Sequence, residues 1–274
     1  MTFIPLTRCA AFAATARTQN RPHRITMVTA ETTELAHRLL HTPVDERRAQ
    51  IADMHDATLM DVLITLDLHR GSAYELWHDT PSGFAEDVLG LTLTNTHRAV
   101  LDAAAGQDVR PVAARLPHPD NHVIAAALIA WSALVSAPRP YAGGRVAALF
   151  APYLSTASSV WRVLARFIDN ASLPGKLDMA RRAWWADDDG PQRVNAFAVW
   201  NTEPHAMGGL HQYVAVVADA DRIADPAMRA TMNFLAGGPS GASRLIALGG
   251  TTDEPEEWFG LYESCDHVTA VPNE

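Results

Sequence analysis

Residues 212–222 read Gln212-Tyr213-Val214-Ala215-Val216-Val217-Ala218-Asp219-Ala220-Asp221-Arg222. The apolar run from Tyr213 to Val217 leaves no polar face for solvent, which predicts a strand buried on both sides, as inside a parallel sheet covered by helices. It ends in two carboxylates one residue apart. Open α/β sheets keep their ligand crevices at the carboxyl ends of such strands, so Asp219 and Asp221 are the first candidate ligand-binding residues.

Working outward, the pattern changes once, near Asp187-Asp188-Asp189-Gly190-Pro191. Before it, apolar residues recur at helical spacing, predicting helices over 29–40, 43–68, 81–105, 120–135, 144–167 and 177–185. After it, 194–200, 213–217 and 245–248 read as strands, with a helix over 226–235. Residues 258–262 and 268–271 are short strands, or a helix and a strand. The expected fold is therefore α+β or α/β: a loose leader over 1–28, an all-α helical domain over 29–186, and a smaller α/β domain over 191–274.

Composition narrows the class. The chain has 274 residues, 48% hydrophobic and 19% charged, enough to bury a substantial core. No apolar stretch reaches the roughly 18 residues that span a bilayer. Cys9 and Cys265 are the only cysteines, which excludes a disulfide scaffold and a thiolate zinc site, and a reducing cytoplasm is the expected location. The segment from Arg8 to Ala16 faintly resembles a signal peptide, but Thr7 and Arg8 interrupt its apolar region. One lysine, Lys176, stands against twenty-one arginines, a bias expected of a GC-rich bacterial genome.

Charge is unevenly spread within a net of −9. Residues 139–182 hold seven basic side chains against Asp169 and Asp178, while residues 183–274 hold four basic and fourteen acidic ones. Arg162, Arg166, Arg181 and Arg182 form the candidate basic surface. Two readings of it are open: a nucleic-acid footprint, or a face that docks the acidic second half, and the second is expected because opposite charges on one chain tend to neutralise each other first.

The strand ending in Asp219, then a helix, then Arg244-Leu-Ile-Ala-Leu-Gly-Gly-Thr251 resembles the second half of a P-loop ATPase. The resemblance implies magnesium at the acid and a polar sensor after the next strand. Its first half is missing. The only Gly-Lys pair, Gly175-Lys176, has Asn170 at the first glycine position and Leu177 where the metal-binding hydroxyl belongs. His118/His122 and His37/His41 are spaced to share helix faces, although Pro119 puts His118 just ahead of its helix. His205 and His211 flank Ala-Met-Gly-Gly-Leu, a loop able to bring imidazoles towards the acids. No Gly-x-Ser-x-Gly elbow surrounds Ser240, and Cys265 reads as a packed cysteine. The Arg181-to-Gly190 junction reads as a helix end, packed tryptophans and a solvated acidic turn.

With no complete catalytic, metal or phosphate motif, the expected function is a non-catalytic cytoplasmic binding or assembly protein engaging another macromolecule, with a protein the expected partner. No metal site or cofactor is implied by that reading, nucleic acid is the lesser partner, and no membrane is involved. The alternative is a Mg-dependent phosphoryl-transfer or nucleotide-hydrolysing enzyme, of degenerate P-loop type, with its site at the carboxyl end of the 213–217 strand.

Overall fold

The computed structural model describes residues 29–70, 73–105, 112–135, 146–185, 195–200, 212–223, 244–249 and 267–269. Among these, strands on both sides of the expected boundary join one eight-stranded sheet. The chain is α/β and the sheet mostly parallel. The division into an all-α domain and a separate α/β domain is thus not confirmed, because residues 112–185 supply four of the strands.

The helices α1 (Ala30–His41), α2 (Val44–Asp53), α3 (Asp56–Arg70), α4 (Pro81–Asp87) and α5 (Asn95–Ala103) come first. The expected helix over 43–68 is two helices, interrupted where Met54 is extended. That over 81–105 is also two. Gly90 has φ 70°, a conformation glycine adopts without strain, and Thr94 caps α5 by accepting from the His97 amide. Between α3 and α4, Trp77 donates to Asp87 at 3.1 Å while Trp131 donates to the Trp77 carbonyl at 2.9 Å, so the indoles tie these helices to the sheet layer.

The chain continues through β1 (Val112–Arg115), α6 (Asp120–Val135), β2 (Val146–Ala151) and α7 (Leu154–Asn170). It ends with β3 (Lys176–Asp178), β4 (Ala183–Trp185), β5 (Ala196–Trp200), β6 (Gln212–Ala218), β7 (Arg244–Gly249) and β8 (His267–Thr269). The order across the sheet is β3-β4-β5-β2-β6-β7-β1-β8; only the β3–β4 and β4–β5 pairs are antiparallel. Two expected helices are corrected here. Residues 144–167 divide into β2 and α7 around Pro152, and 177–185 form the β3–β4 hairpin, whose turn puts Arg182 at φ 50°. The expected strands at 194–200, 213–217, 245–248 and 268–271 correspond to β5, β6, β7 and β8. The leader over 1–28, the helix over 226–235 and the segment 258–262 lie outside the described residues.

Alternation along the central strands builds two apolar layers. Val214, Val216 and Ala218 of β6 join Leu149, Ile246 and Leu248 in the main core with α6 and α7, while Ala215 and Val217 join Phe150 and Ala247 on the opposite face. Both faces of β6 are buried, which explains its uninterrupted apolar sequence. Helix α6 is buried along nearly its whole length, consistent with apolar residues on every side. Helix α7 is two-faced: Thr156, Ala157, Val160, Trp161, Val163, Leu164 and Phe167 face inward, and Arg162 and Arg166 outward.

Candidate functional site

The chain leaves β2 towards β5 on one side of the sheet and leaves β6 towards β7 on the other. Adjacent parallel strands whose connections diverge in this way form the switch point where open α/β sheets bind ligands. Asp219 occupies that position, immediately after β6. It is 5% exposed and left-handed at φ 50°, ψ 44°, a conformation that Asp tolerates better than most residues.

Three elements converge on its carboxylate. From the start of α6, the Asn121 side-chain amide donates to Oδ1 at 2.7 Å and His122 Nε2 lies 3.1 Å from the same oxygen. From the first turn of α7, Thr156 Oγ1 donates to Oδ2 at 2.7 Å. Burial by itself would push the Asp219 carboxyl up, but the bonds from His122, Thr156 and Asn121, with the imidazole's charge, outweigh it and hold the group down at about 2. Asp219 is therefore an anion at neutral pH, with His122 Nε2 buried 3.1 Å from its Oδ1.

Thr156→Val keeps the side chain's shape and deletes the donor to Oδ2. Leaving a buried charged acceptor short of a partner costs about 1–3 kcal/mol. Urea unfolding at neutral pH should report that loss, and the acid-unfolding midpoint should move up because the Asp219 anion loses support. Wild-type values for both would remove Thr156 from the site.

A magnesium–nucleotide ligand makes two demands on these residues. The metal's demand is met in donor type alone: Asp219 supplies an ionised carboxylate and Thr156 a hydroxyl beside it, the donor types that hold magnesium in phosphoryl-transfer sites, with both Asp219 oxygens already accepting from protein groups. The phosphate's demand is not met by the β1–α6 turn. Although strand, turn and helix follow in the order of a phosphate-binding loop, Leu116-Pro117-His118-Pro119-Asp120 has neither glycine nor lysine. The two prolines have no amide hydrogen. The amides of Asp120 and Asn121 donate to the Pro117 carbonyl, and those of His122 and Val123 to the Pro119 carbonyl, so they are turned away from any ligand.

Of the sequence candidates, Asp219 sits at the centre and Asp221 half-buried in the 3-10 turn that follows. His205 and His211 lie outside the described residues. His118 and His122 do meet, with ring centroids 4.8 Å apart, as do His37 and His41 at 4.5 Å. No group of three or more metal-ligating side chains occurs among the described residues. Gly175-Lys176 opens the edge strand β3 and starts no helix. The spacing of residues did not reveal Asn121 or Thr156. The available signal was Val112-Ala-Ala-Arg115, a short strand set directly before α6.

No known protein family matches the sequence, and no curated protein does. Among solved structures, the chain has weak similarity to the large terminase ATPase domain of a Thermus phage: TM-score 0.46 at 14% identity, over 67% of this chain and 74% of that one. An arginine-to-alanine mutant of that domain gives TM-score 0.46 at 12% identity, over 62% of this chain and 70% of the other. No helix among the described residues is long and apolar enough to cross a membrane.

Proposed function

We propose that the chain binds a magnesium–nucleotide at the carboxyl ends of β2 and β6 and belongs to the phosphoryl-transfer or nucleotide-hydrolysing class. The observation that carries this reading is Asp219, a buried carboxylate kept ionised at the sheet's switch point with the Thr156 hydroxyl against it. Asp219 and Thr156 are the residues that would hold the metal, and magnesium would supply neutralisation of phosphate charge. Asn121 and His122 orient the carboxylate.

Differential scanning fluorimetry with magnesium or manganese, alone and with ATP or GTP, tests this. A ligand present at about a hundred times its Kd stabilises by about 2.7 kcal/mol, a rise of several degrees for a chain of this size. The wild type should show that rise with a metal–nucleotide complex, and Asp219→Asn should lose it. A flat wild-type response across the whole panel would defeat the reading.

A second reading rests on the hydrogen bonding itself. Both oxygens of Asp219 already have protein donors, and the amides of the β1–α6 turn are spent on Pro117 and Pro119. On that reading Asp219 is an internal tie in a non-catalytic protein that engages a protein partner in the cytoplasm.

A further inference from the structure

We propose that the outer face of α7, together with the β3–β4 turn, is a docking surface for the phosphate backbone of nucleic acid. Positions 155, 159, 162 and 166 follow one another along one side of α7 at helical spacing, giving exposed Ser155, Arg162 and Arg166 and half-buried Ser159 a common stripe. Arg162 donates to Ser159 Oγ at 3.2 Å, an arrangement that holds its guanidinium along the helix. Beside the stripe, Arg182 donates from Nη2 to Ser158 Oγ at 2.8 Å and lies 4.8 Å over the Trp200 ring, so β3–β4, β5 and α7 together fix its position.

Among the described residues these charges have few acidic partners. Among the described residues Arg162, Arg166 and Arg182 make no ion pair, and the Arg182 Nε is buried without an acceptor. Arg181 meets Asp178 at 3.8 Å, with its side chain 78% exposed, where an ion pair is weak. Asp169, three residues after Arg166, makes no ion pair with it. Among the described residues, β2, β3 and β4 belong to the same sheet as β5–β8 and β3 is at its outer edge.

Arginines interleaved with hydroxyls match the donors that contact phosphodiesters. Tyr153, 54% exposed at the start of α7, adds a ring able to stack on a base. A membrane surface fits less well, because the apolar side of α7 is already committed to the core.

The test is fluorescence anisotropy of the full chain with a labelled DNA duplex and a labelled single strand, between about 50 and about 200 mM salt. The wild type should bind in the micromolar range at the low end, and Arg162→Gln/Arg166→Gln should weaken binding at least tenfold and flatten the log-affinity against log-salt slope by about 2. Both substitutions are exposed, and an unchanged far-UV melting curve confirms the fold. Arg38→Glu, an exposed arginine on α1, should leave affinity near wild type. No wild-type binding at low salt would overturn the proposal, as would equal weakening by Arg38→Glu. So would preferential binding to phosphatidylglycerol vesicles, or binding that appears only once Asp187, Asp188 and Asp189 become Asn.

Discussion

Val216→Lys should abolish the cooperative unfolding transition or move it to very low denaturant. Val216 is 0% exposed in the middle of β6, opposite Leu149 of β2 and Ile246 of β7, with α6 packed over the strand. A lysine there has no route to solvent along its stem, because sheet neighbours flank it on both sides and a buried helix closes the top. The amine must either stay charged without a partner or give up its proton, and the valine packing is lost in both cases. The combined cost is about 5 kcal/mol or more, comparable with the whole net stability of an ordinary domain. Val199→Lys, half-buried on β5, should be milder because its ammonium can reach water. Urea titrations followed by circular dichroism decide the matter: a wild-type midpoint for Val216→Lys would mean that β6 is not central.

That strand was legible because its sequence and environment agree. Val214 to Ala218 are buried on both faces and need no polar position, so the apolar run from Tyr213 to Val217 stands out against everything around it. Helix α6 was legible for a related reason: sixteen residues, opened by Asp120, are too long for a typical strand. The shorter central strands were not. In β2, Val146-Ala-Ala-Leu-Phe-Ala151 is a six-residue apolar run whose composition suits a buried helix equally well, and α7 follows so closely that the two merge into one apparent helix. In 177–185 the spacing of Leu177, Ala180 and Trp184 mimics a helical face. The hairpin that forms instead depends on Arg182 adopting a positive φ, which an arginine does not advertise.

The candidate site divides along the same line. Asp219 could be picked out because it terminates β6, whereas its partners come from 98, 97 and 63 residues earlier, and no local spacing connects them. Reading 112–115 as a strand would have placed Asn121 and His122 at a strand–turn–helix junction. Its four residues between Pro111 and Pro117 are below the length at which alternation becomes informative. The domain boundary is not confirmed, and there is a physical reason why sequence period alone cannot fix it. A change of period along a sequence marks where helices give way to strands, but a parallel sheet recruits strands from distant parts of the chain, so the change need not divide the core.

Removing the carboxylate at position 219 should have the other large effect, and its pH dependence gives the role away. Asp219→Ala leaves the Asn121 amide, the His122 imidazole and the Thr156 hydroxyl buried around a gap, and breaking a buried charged cluster from one side costs about 3–5 kcal/mol. Asp219→Asn fills the space but cannot carry the charge, so it isolates the ionic part. The native carboxyl is lowered from the ordinary 3.8 to about 2. A depressed native pKa means that the unfolded chain takes up the proton first, so the contribution is fully present above about pH 4 and fades as pH falls towards about 2. A shift of that size is worth about 2 kcal/mol. Urea unfolding of wild type and Asp219→Asn at a series of pH values should therefore show a stability gap that is constant from neutral pH down to about 4 and narrows by about 2 kcal/mol below it. The many other carboxylates titrate in both proteins and cancel in the difference. A gap that does not change with pH would mean that the Asp219 carboxylate is not held ionised by His122, Thr156 and Asn121, and the metal-holding role built on that anion would fall with it.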